Sequence, residues 1–432
     1  MRRVFFLIVL LCISLWFPLC LNAEQIVISL ADAIEKGIEN NLNLKKSLID
    51  LEAAGYSAHR LWSEVFPTVS GSVGVSYSSP LFSGDGFQAN KDGVGTSASL
   101  GINLTLNAGI PYSMKNIRLA YQARLLNYED ARNQLGIQIT KNFYSLIADR
   151  DNLAVLADMF NLEQLQFERN QVAFRNGLLG ELPLMQSRLN METARYNLNL
   201  AKTAYAAKMG DFLVQLGIAY DADVVLEGKI EIVKIEFFDA EQAILDNLSR
   251  RPDIVSRRQE IERLENARKQ ATLSNKAPSL TLGTTWNSSK FDPFADTLRG
   301  NATLNIPIDP WIPGTSKNQS VLGAKYSIDK ARLDLQNAED TAASQIRSFA
   351  ANLQNYWDNV EIARINLNVA ERRHELMQQG FRNGTVDSLK LGDARNDLMT
   401  ARQRLLQSEI TYFNRILDIS AALNISWKEL MK

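Results

Sequence analysis

Residues 176–188 read NGLLGELPLMQSR, and residues 383–395 read NGTVDSLKLGDAR. The second stretch follows the first by 207 residues, and apolar residues on both sides of it recur at the same offset. The matched pairs include Ile139 and Ile346, Leu146 and Leu353, Leu184 and Leu391, Met191 and Leu398, and Tyr205 and Tyr412. Self-similarity at one fixed offset is the sequence signature of a repeat. We therefore interpret the chain as an internal duplication.

The matched apolar residues recur every seven positions over several heptads. Such a pattern predicts long helices that wind about each other along a narrow apolar seam. A helix predicted over residues 112–175 contains no proline and would span about 95 Å at 1.5 Å per residue, as would its twin over 317–382. Each long helix turns back at a glycine, Gly177 or Gly384, into a shorter one. Each repeat therefore contains one long coiled-coil hairpin.

A further helix is predicted in front of each hairpin, over residues 29–65 and 239–276. Each ends at a proline, Pro67 or Pro278, which cannot continue the helical hydrogen bonding. The boundaries divide the chain into an N-terminal segment (1–23), a first repeat (24–220), a connecting segment (221–238) and a second repeat (239–432).

Between the helices of each repeat the period of the pattern changes to two. One face of the clearest segment carries Ala98, Leu100, Ile102, Leu104 and Leu106, and the other carries Ser99, Gly101, Asn103 and Thr105. The other apolar faces carry Val69, Val73, Val75 and Tyr77 in the first repeat, and Leu280, Leu282, Trp286, Ala302, Leu304, Ile306 and Ile308 in the second. Alternation of this kind predicts four strands with one apolar and one polar face. They are typical of a transmembrane β-barrel, although a small soluble sandwich is an alternative.

The N-terminal segment favours the transmembrane β-barrel over the soluble sandwich. Arg2 and Arg3 precede an apolar run over 4–21 and a small residue, Ala23, as in a secretory signal peptide of residues 1–23. An uncleaved anchor and lipidation at Cys20 are the alternatives. Aromatic residues near the strands would suit an interfacial belt, namely Tyr77, Phe82, Phe87, Trp286, Phe291 and Phe294.

Four strands are too few to close a membrane barrel, because known barrels begin at about eight strands and open edges are not tolerated in lipid. The chain must therefore pool its strands with at least one further copy. We predict a mainly α protein with a small transmembrane β part: a long α-helical barrel of coiled-coil hairpins, and a β-barrel to which each chain gives four strands.

Composition argues against several other classes of protein. The 47 Lys and Arg residues balance 48 Asp and Glu residues, with no basic face of the kind that binds nucleic acid. Only two histidines are present, and both cysteines, Cys12 and Cys20, lie in the N-terminal segment. His374 stands where the first repeat has Phe167, so an apolar heptad position has become polar. We expect no catalytic residues, cofactor or metal site, and no enzymatic activity.

With these residues in place, the sequence resembles the outer-membrane efflux protein family, the TolC-like channels. The resemblance covers essentially the whole chain after residue 23. It is carried by the duplicated plan, by Ala33-Ile34 and Ala243-Ile244, by RPDI at 251–254, and by the returns INLTLNAGIPYS (102–113) and LNIPIDPWIPG (304–314).

The resemblance implies a homotrimer in the outer membrane with a long periplasmic extension. Its function would be the exit duct of a tripartite efflux pump or a type I secretion system. Its partners would be outer-membrane lipid, a periplasmic membrane-fusion adaptor and an inner-membrane pump of the ABC, RND or MFS type. A periplasmic coiled-coil adaptor or scaffold without a pore is the alternative function.

Site residues also follow from the resemblance. The tips that would dock the adaptor are Gly177, Leu178, Gly384 and Thr385. The periplasmic aperture would be lined by Pro183, Gln186, Lys390 and Asp393. Lys390 departs from the best-known member of the family, where an acidic residue stands, so the resemblance does not imply an acidic aperture that binds cations.

Overall fold

The computed structural model describes residues 26–77, 94–230, 232–236, 238–289 and 296–431. The predicted signal peptide of residues 1–23 lies outside the described residues. So do both cysteines and four of the aromatic residues assigned to an interfacial belt: Phe82, Phe87, Phe291 and Phe294.

The helices and strands follow the predicted duplication. The first repeat contains β1 (Ile26–Ile28), α1 (Leu30–Asn40), α2 (Leu42–His59), β2 (Thr68–Tyr77), β3 (Val94–Asn107), α3 (Ile110–Arg175) and α4 (Glu181–Gln215). Next come β4 (Val224–Leu226), α5 (Ala240–Asn247), α6 (Pro252–Lys276), β5 (Ser279–Ser289), β6 (Thr297–Asn305), α7 (Ser316–Arg382), α8 (Ser388–Leu423) and α9 (Trp427–Leu430). Short 3-10 turns occupy 61–65, 248–250 and 309–311.

The 207-residue offset holds in three dimensions. The two long helices end at Arg175 and Arg382, and the returning helices begin at Glu181 and Ser388, so both boundaries keep the offset. The 66 residues of α3 span about 100 Å. Among the described residues no helix is both long and apolar enough to cross a bilayer. The two predicted coiled-coil hairpins, α3 with α4 and α7 with α8, are confirmed.

The two helices predicted in front of the hairpins are each interrupted, so their continuity was predicted wrongly. At Asn41 the first one breaks, because the Asn41 side-chain oxygen accepts from two backbone N–H groups of α2 at 3.0 and 3.1 Å. Such a cap begins a new helix and satisfies N–H groups that have no helical partner. The second breaks before Pro252, which lacks an N–H group and is suited to the first position of α6.

The four long strands form one antiparallel sheet in the order β2-β3-β5-β6. Its register places the predicted apolar residues opposite one another, pairing Val69 with Ile102, Leu100 with Trp286, and Leu282 with Ala302. Partners in register point to the same side of a sheet, so one face is apolar across all four strands. Ile306 and Ile308, predicted on this face, lie beyond the end of β6 at Asn305.

The other face of the sheet is polar. Ser72 and Ser99 share a hydrogen bond of 2.8 Å, and Thr105 and Thr281 approach to 3.4 Å. Each strand has neighbours within the sheet except at the outer edges of β2 and β6, which meet no other strand among the described residues. The sheet is therefore open at both sides.

The helices form a layer with the same order as the strands. Next to the sheet the order is α2-α3-α6-α7, and beyond the middle of the long helices it is α4-α3-α8-α7. At the middle, β1 pairs in parallel with β4, an interaction that we did not predict. Ile28 on β1 packs there with Phe143, Leu213 and Leu216 in a buried cluster. This cluster fixes the first hairpin to the start of the chain.

Candidate functional site

The two hairpin turns have the same backbone geometry. Gly177 and Gly384 have φ angles of 71° and 73°, in the left-handed region that favours glycine. The N–H of Leu178 donates to the carbonyl of Ala173, and the N–H of Thr385 donates to that of Gly380, each at 2.9 Å. These bonds satisfy carbonyl groups at the ends of the long helices. The four residues predicted to dock an adaptor thus form two matched tips, and Leu178 and Thr385 are exposed.

The returning helices begin differently after the two turns. In the second repeat the Asp387 carboxylate accepts from the backbone N–H of Lys390 at 2.8 Å and caps α8. In the first repeat Gly180 precedes α4 and supplies no side-chain cap. The ammonium group of Lys390 lies 3.9 Å from the Asp387 carboxylate, and both side chains are mostly exposed. Lys390 is therefore a solvated cation at the tip.

A groove of about 410 Å³ lies between the two hairpins just behind the tips. Pro183, Gln186 and Asp393 line it, so the structure brings together three of the four predicted aperture residues. Lys390 does not line the groove, although Leu389 and Leu391 on either side of it do. Amide side chains supply much of the remaining wall: Gln166, Asn170, Asn190 and Asn396. Leucine side chains make part of the groove apolar, and its charged side chains are Asp393, Glu163 and Arg395.

Glu163 and Arg395 form a buried ion pair between the first and the second hairpin. Their closest atoms are 3.5 Å apart, and their side chains are only 5% and 11% exposed. The Nε atom of Arg395 is buried without a hydrogen-bond partner among the described atoms. We did not predict this pair from the sequence, although one difference between the repeats points to it. Glu163 occupies the position that Ala370 fills in the second repeat, where it packs against Leu398 and Ala401.

His374 lies on α7, half-buried and close to the same arginine. Burial lowers the pKa of His374, and the nearby charges of Arg395 and Arg402 lower it further, while Glu375 acts in the opposite direction. The imidazole is therefore held in its neutral form more firmly than in an unfolded chain.

Aromatic side chains gather at the end of the sheet that joins the helices. Trp62 and Phe66 pack edge to face with 5.3 Å between ring centroids, just before β2. Trp311 follows β6, and the Lys276 ammonium lies 4.9 Å from its ring centroid. All three rings are exposed. We placed the interfacial belt at the opposite end of the strands and missed this group, because it lies outside the alternating segments.

We predict that Glu163→Ala destabilises the seam between the hairpins by about 3–5 kcal/mol, because it leaves Arg395 buried without a counter-charge. The double variant Glu163→Ala/Arg395→Leu should recover most of that loss, since an apolar pair replaces the ion pair. Thermal unfolding of both variants in detergent measures the difference. Equal destabilisation in the single and double variants would contradict the assignment.

The lowered pKa of His374 predicts a pH dependence. As the pH falls below about 6.5, the ordinary histidine pKa, His374 becomes protonated in the unfolded chain but stays neutral in the folded chain. The free energy of unfolding therefore decreases as the pH is lowered below this value. We expect His374→Phe, which copies Phe167 of the first repeat, to lose less stability than the parent between about pH 8 and about pH 5. Identical pH profiles of the unfolding midpoint would exclude a contribution from His374.

Comparison with known proteins agrees with the fold. The family model described as outer membrane efflux protein matches residues 33–209 and 243–424, one match in each repeat. No curated protein matched the sequence.

Solved outer-membrane proteins share the architecture at low sequence identity. The CmeC outer membrane channel of Campylobacter jejuni is 20% identical with a TM-score of 0.73, covering 91% of this chain and 85% of that one. VceC of Vibrio cholerae is 15% identical with a TM-score of 0.71, covering 92% and 96%. MtrE of Neisseria gonorrhoeae, in its open state, is 14% identical with a TM-score of 0.69, covering 93% and 90%.

At these identities the structural matches establish the fold alone, whereas the family model spans most of both repeats. The resemblance stated from the sequence is thereby confirmed. The chain belongs to the outer membrane efflux protein family.

Proposed function

We propose that the protein is a trimeric outer-membrane exit duct of a tripartite efflux pump or a type I secretion system. It would conduct small molecules or proteins passively from the periplasm or an inner-membrane pump to the exterior. The observation that carries this proposal is that the sheet and the helical layer are open at the same two sides. In a closed tube made of several copies, each open side of the sheet and of the helical layer would pair with the next copy.

The edge helices carry exposed apolar and aromatic residues at heptad spacing. On α2 these are Leu42, Ile49 and Tyr56, and on α7 they include Tyr326 and Leu333, all exposed in the single chain. Each edge differs from the other, so copies meet head to tail and form a ring when the rotation closes. Three copies would supply twelve strands, the number that membership of the family implies.

The apolar face of the sheet supports a location in the outer membrane. Residues such as Val69 and Leu298 on this face are exposed in the chain, as they are in barrels that face lipid. Trp62, Phe66 and Trp311 are suited to the boundary between lipid and water. The predicted export signal at residues 1–23 agrees with this location.

The hairpin tips would meet a periplasmic adaptor. Leu178 offers an exposed apolar side chain on a turn closed by backbone hydrogen bonds, and the groove behind the tips is open to a partner helix. The adaptor would connect the duct to an inner-membrane pump of the ABC, RND or MFS type, which would supply the energy. Pro183, Gln186, Lys390 and Asp393 would surround the periplasmic aperture.

Low-resolution electron microscopy of the detergent-purified protein tests the duct directly. We expect a three-fold tube with a helical part about 100 Å long. A monomeric rod in the soluble periplasmic fraction would instead support an adaptor or scaffold without a pore.

The aperture assignment has its own test in planar bilayers. Lys390→Asp places three acidic groups where the proposed trimer has three ammonium groups, so it should raise the permeability to cations relative to anions. Lys390→Gln, which only removes the charge, should give an intermediate reversal potential under a salt gradient. Reversal potentials that do not change across the three proteins would place Lys390 away from the aperture.

A further inference from the structure

Within one chain, α3 and α8 form the seam that joins the two hairpins. Near the middle of the long helices this seam is fastened by an ion pair between Lys141 and Asp418, whose side chains are 27% and 23% exposed. Next to it Tyr144 and Phe413 pack edge to face with 4.6 Å between ring centroids. The duplication assigns each of these residues a twin at the 207-residue offset.

The twins lie on the two outer edges of the hairpin layer. Lys141 and Tyr144 correspond to Ser348 and Ala351 on α7, whereas Phe413 and Asp418 correspond to Ala206 and Asp211 on α4. All four twins are exposed, although their counterparts within the chain are buried or half-buried. The two edges of the chain therefore carry the halves of a second seam of the same design.

We propose that successive copies of this chain meet along α7 and α4 in the register of the duplication, with Ser348 opposite Asp211 and Ala351 opposite Ala206. The proposal rests on the closed ring of the proposed function, and it names the contacts that close the helical part of that ring. The occupant of each edge is a second copy, because the same contact already exists between the two repeats of one copy.

The seam between copies differs chemically from the seam within the chain. Ser348 replaces the ammonium group of Lys141, so Asp211 can accept a hydrogen bond from a hydroxyl group but forms no ion pair. Within the described residues, no ion pair or side-chain hydrogen bond engages Asp211. The aromatic pair is replaced by two alanines, Ala351 and Ala206. The seam between copies therefore lacks both the ion pair and the aromatic pair of the seam within the chain.

Apolar contact takes the place of the ion pair and the aromatic pair. Tyr196 and Leu200 on α4 are 65% and 58% exposed in the single chain. Their twins on α8 are Gln403 and Gln407, which line a polar cavity of about 630 Å³ inside the chain's own seam. A tyrosine and a leucine at these positions would bury apolar surface against the next copy.

Chemical crosslinking tests the register. We expect Ala206→Cys/Ala351→Cys, treated with a short bifunctional thiol reagent, to run as covalent dimers and trimers on a denaturing gel. The matched control Asn199→Cys/Ala351→Cys moves one thiol by a heptad, about 10 Å along the same face, and should crosslink far less. The parent chain controls for Cys12 and Cys20. Equal crosslinking in both pairs, or none in the first, would overturn the register.

Introducing the missing ion pair tests the chemistry of the seam between copies. Ser348→Lys restores the twin of Lys141 opposite Asp211, so the oligomer should dissociate in detergent at a temperature several degrees higher. Ser348→Lys/Asp211→Asn removes the new partner and should lose this gain. Absence of a gain in the first variant, or its persistence in the second, would contradict the pairing of these two residues.

The outcomes separate this proposal from the proposed function. A three-fold tube that fails both tests would retain the duct and reject the register. A protein that stays monomeric would reject both.

Discussion

Apolar side chains at every seventh position bind each long helix to the helix that returns beside it. A helix of 66 residues is held mainly by packing of its apolar side chains, and α3 packs against α2 and α6 in its first half and against α4 and α8 in its second. Because the same heptads occur in both repeats, Ile139 and Ile346 occupy equivalent places and are both fully buried. Packing of the heptads therefore fixes the length of the hairpins, the position of their tips and the distance between tips and sheet.

The features predicted from the sequence are those that repeat. Heptads and alternating strands give local periods that a single chain displays, and Gly177 and Gly384 mark a turn that needs a positive φ. The break at Asn41 was missed because asparagine caps a helix only where tertiary packing permits a bend. The β1–β4 pair was missed because two strands of three residues carry no period. Their contact joins residues about 200 positions apart, and nothing local specifies it.

The candidate site was less predictable than the fold, because it lies where the two repeats differ. Glu163 replaces the apolar Ala370, His374 replaces Phe167, and Lys390 stands where the first repeat has Pro183. Comparison of the two repeats marks each position as a difference but does not say which side chain it meets. The partner of Glu163 is on the other hairpin, more than 200 residues away, and only the fold reveals that Arg395 reaches it.

The ion pairs between the two hairpins have a common physical consequence. A buried ion pair is poor at adding stability but good at excluding other arrangements, because either charge without its partner is costly in a low-dielectric interior. The seam between α3 and α8 has such polar contacts at both ends, Lys141 with Asp418 and Glu163 with Arg395. Between them lies a polar cavity, where the side-chain oxygens of Asn152 and Asn414 lack partners among the described atoms. The two hairpins of one chain are thus aligned by charged contacts at two points, with apolar side chains such as Tyr144 and Phe413 and a polar cavity between them, and the two charged contacts specify their register.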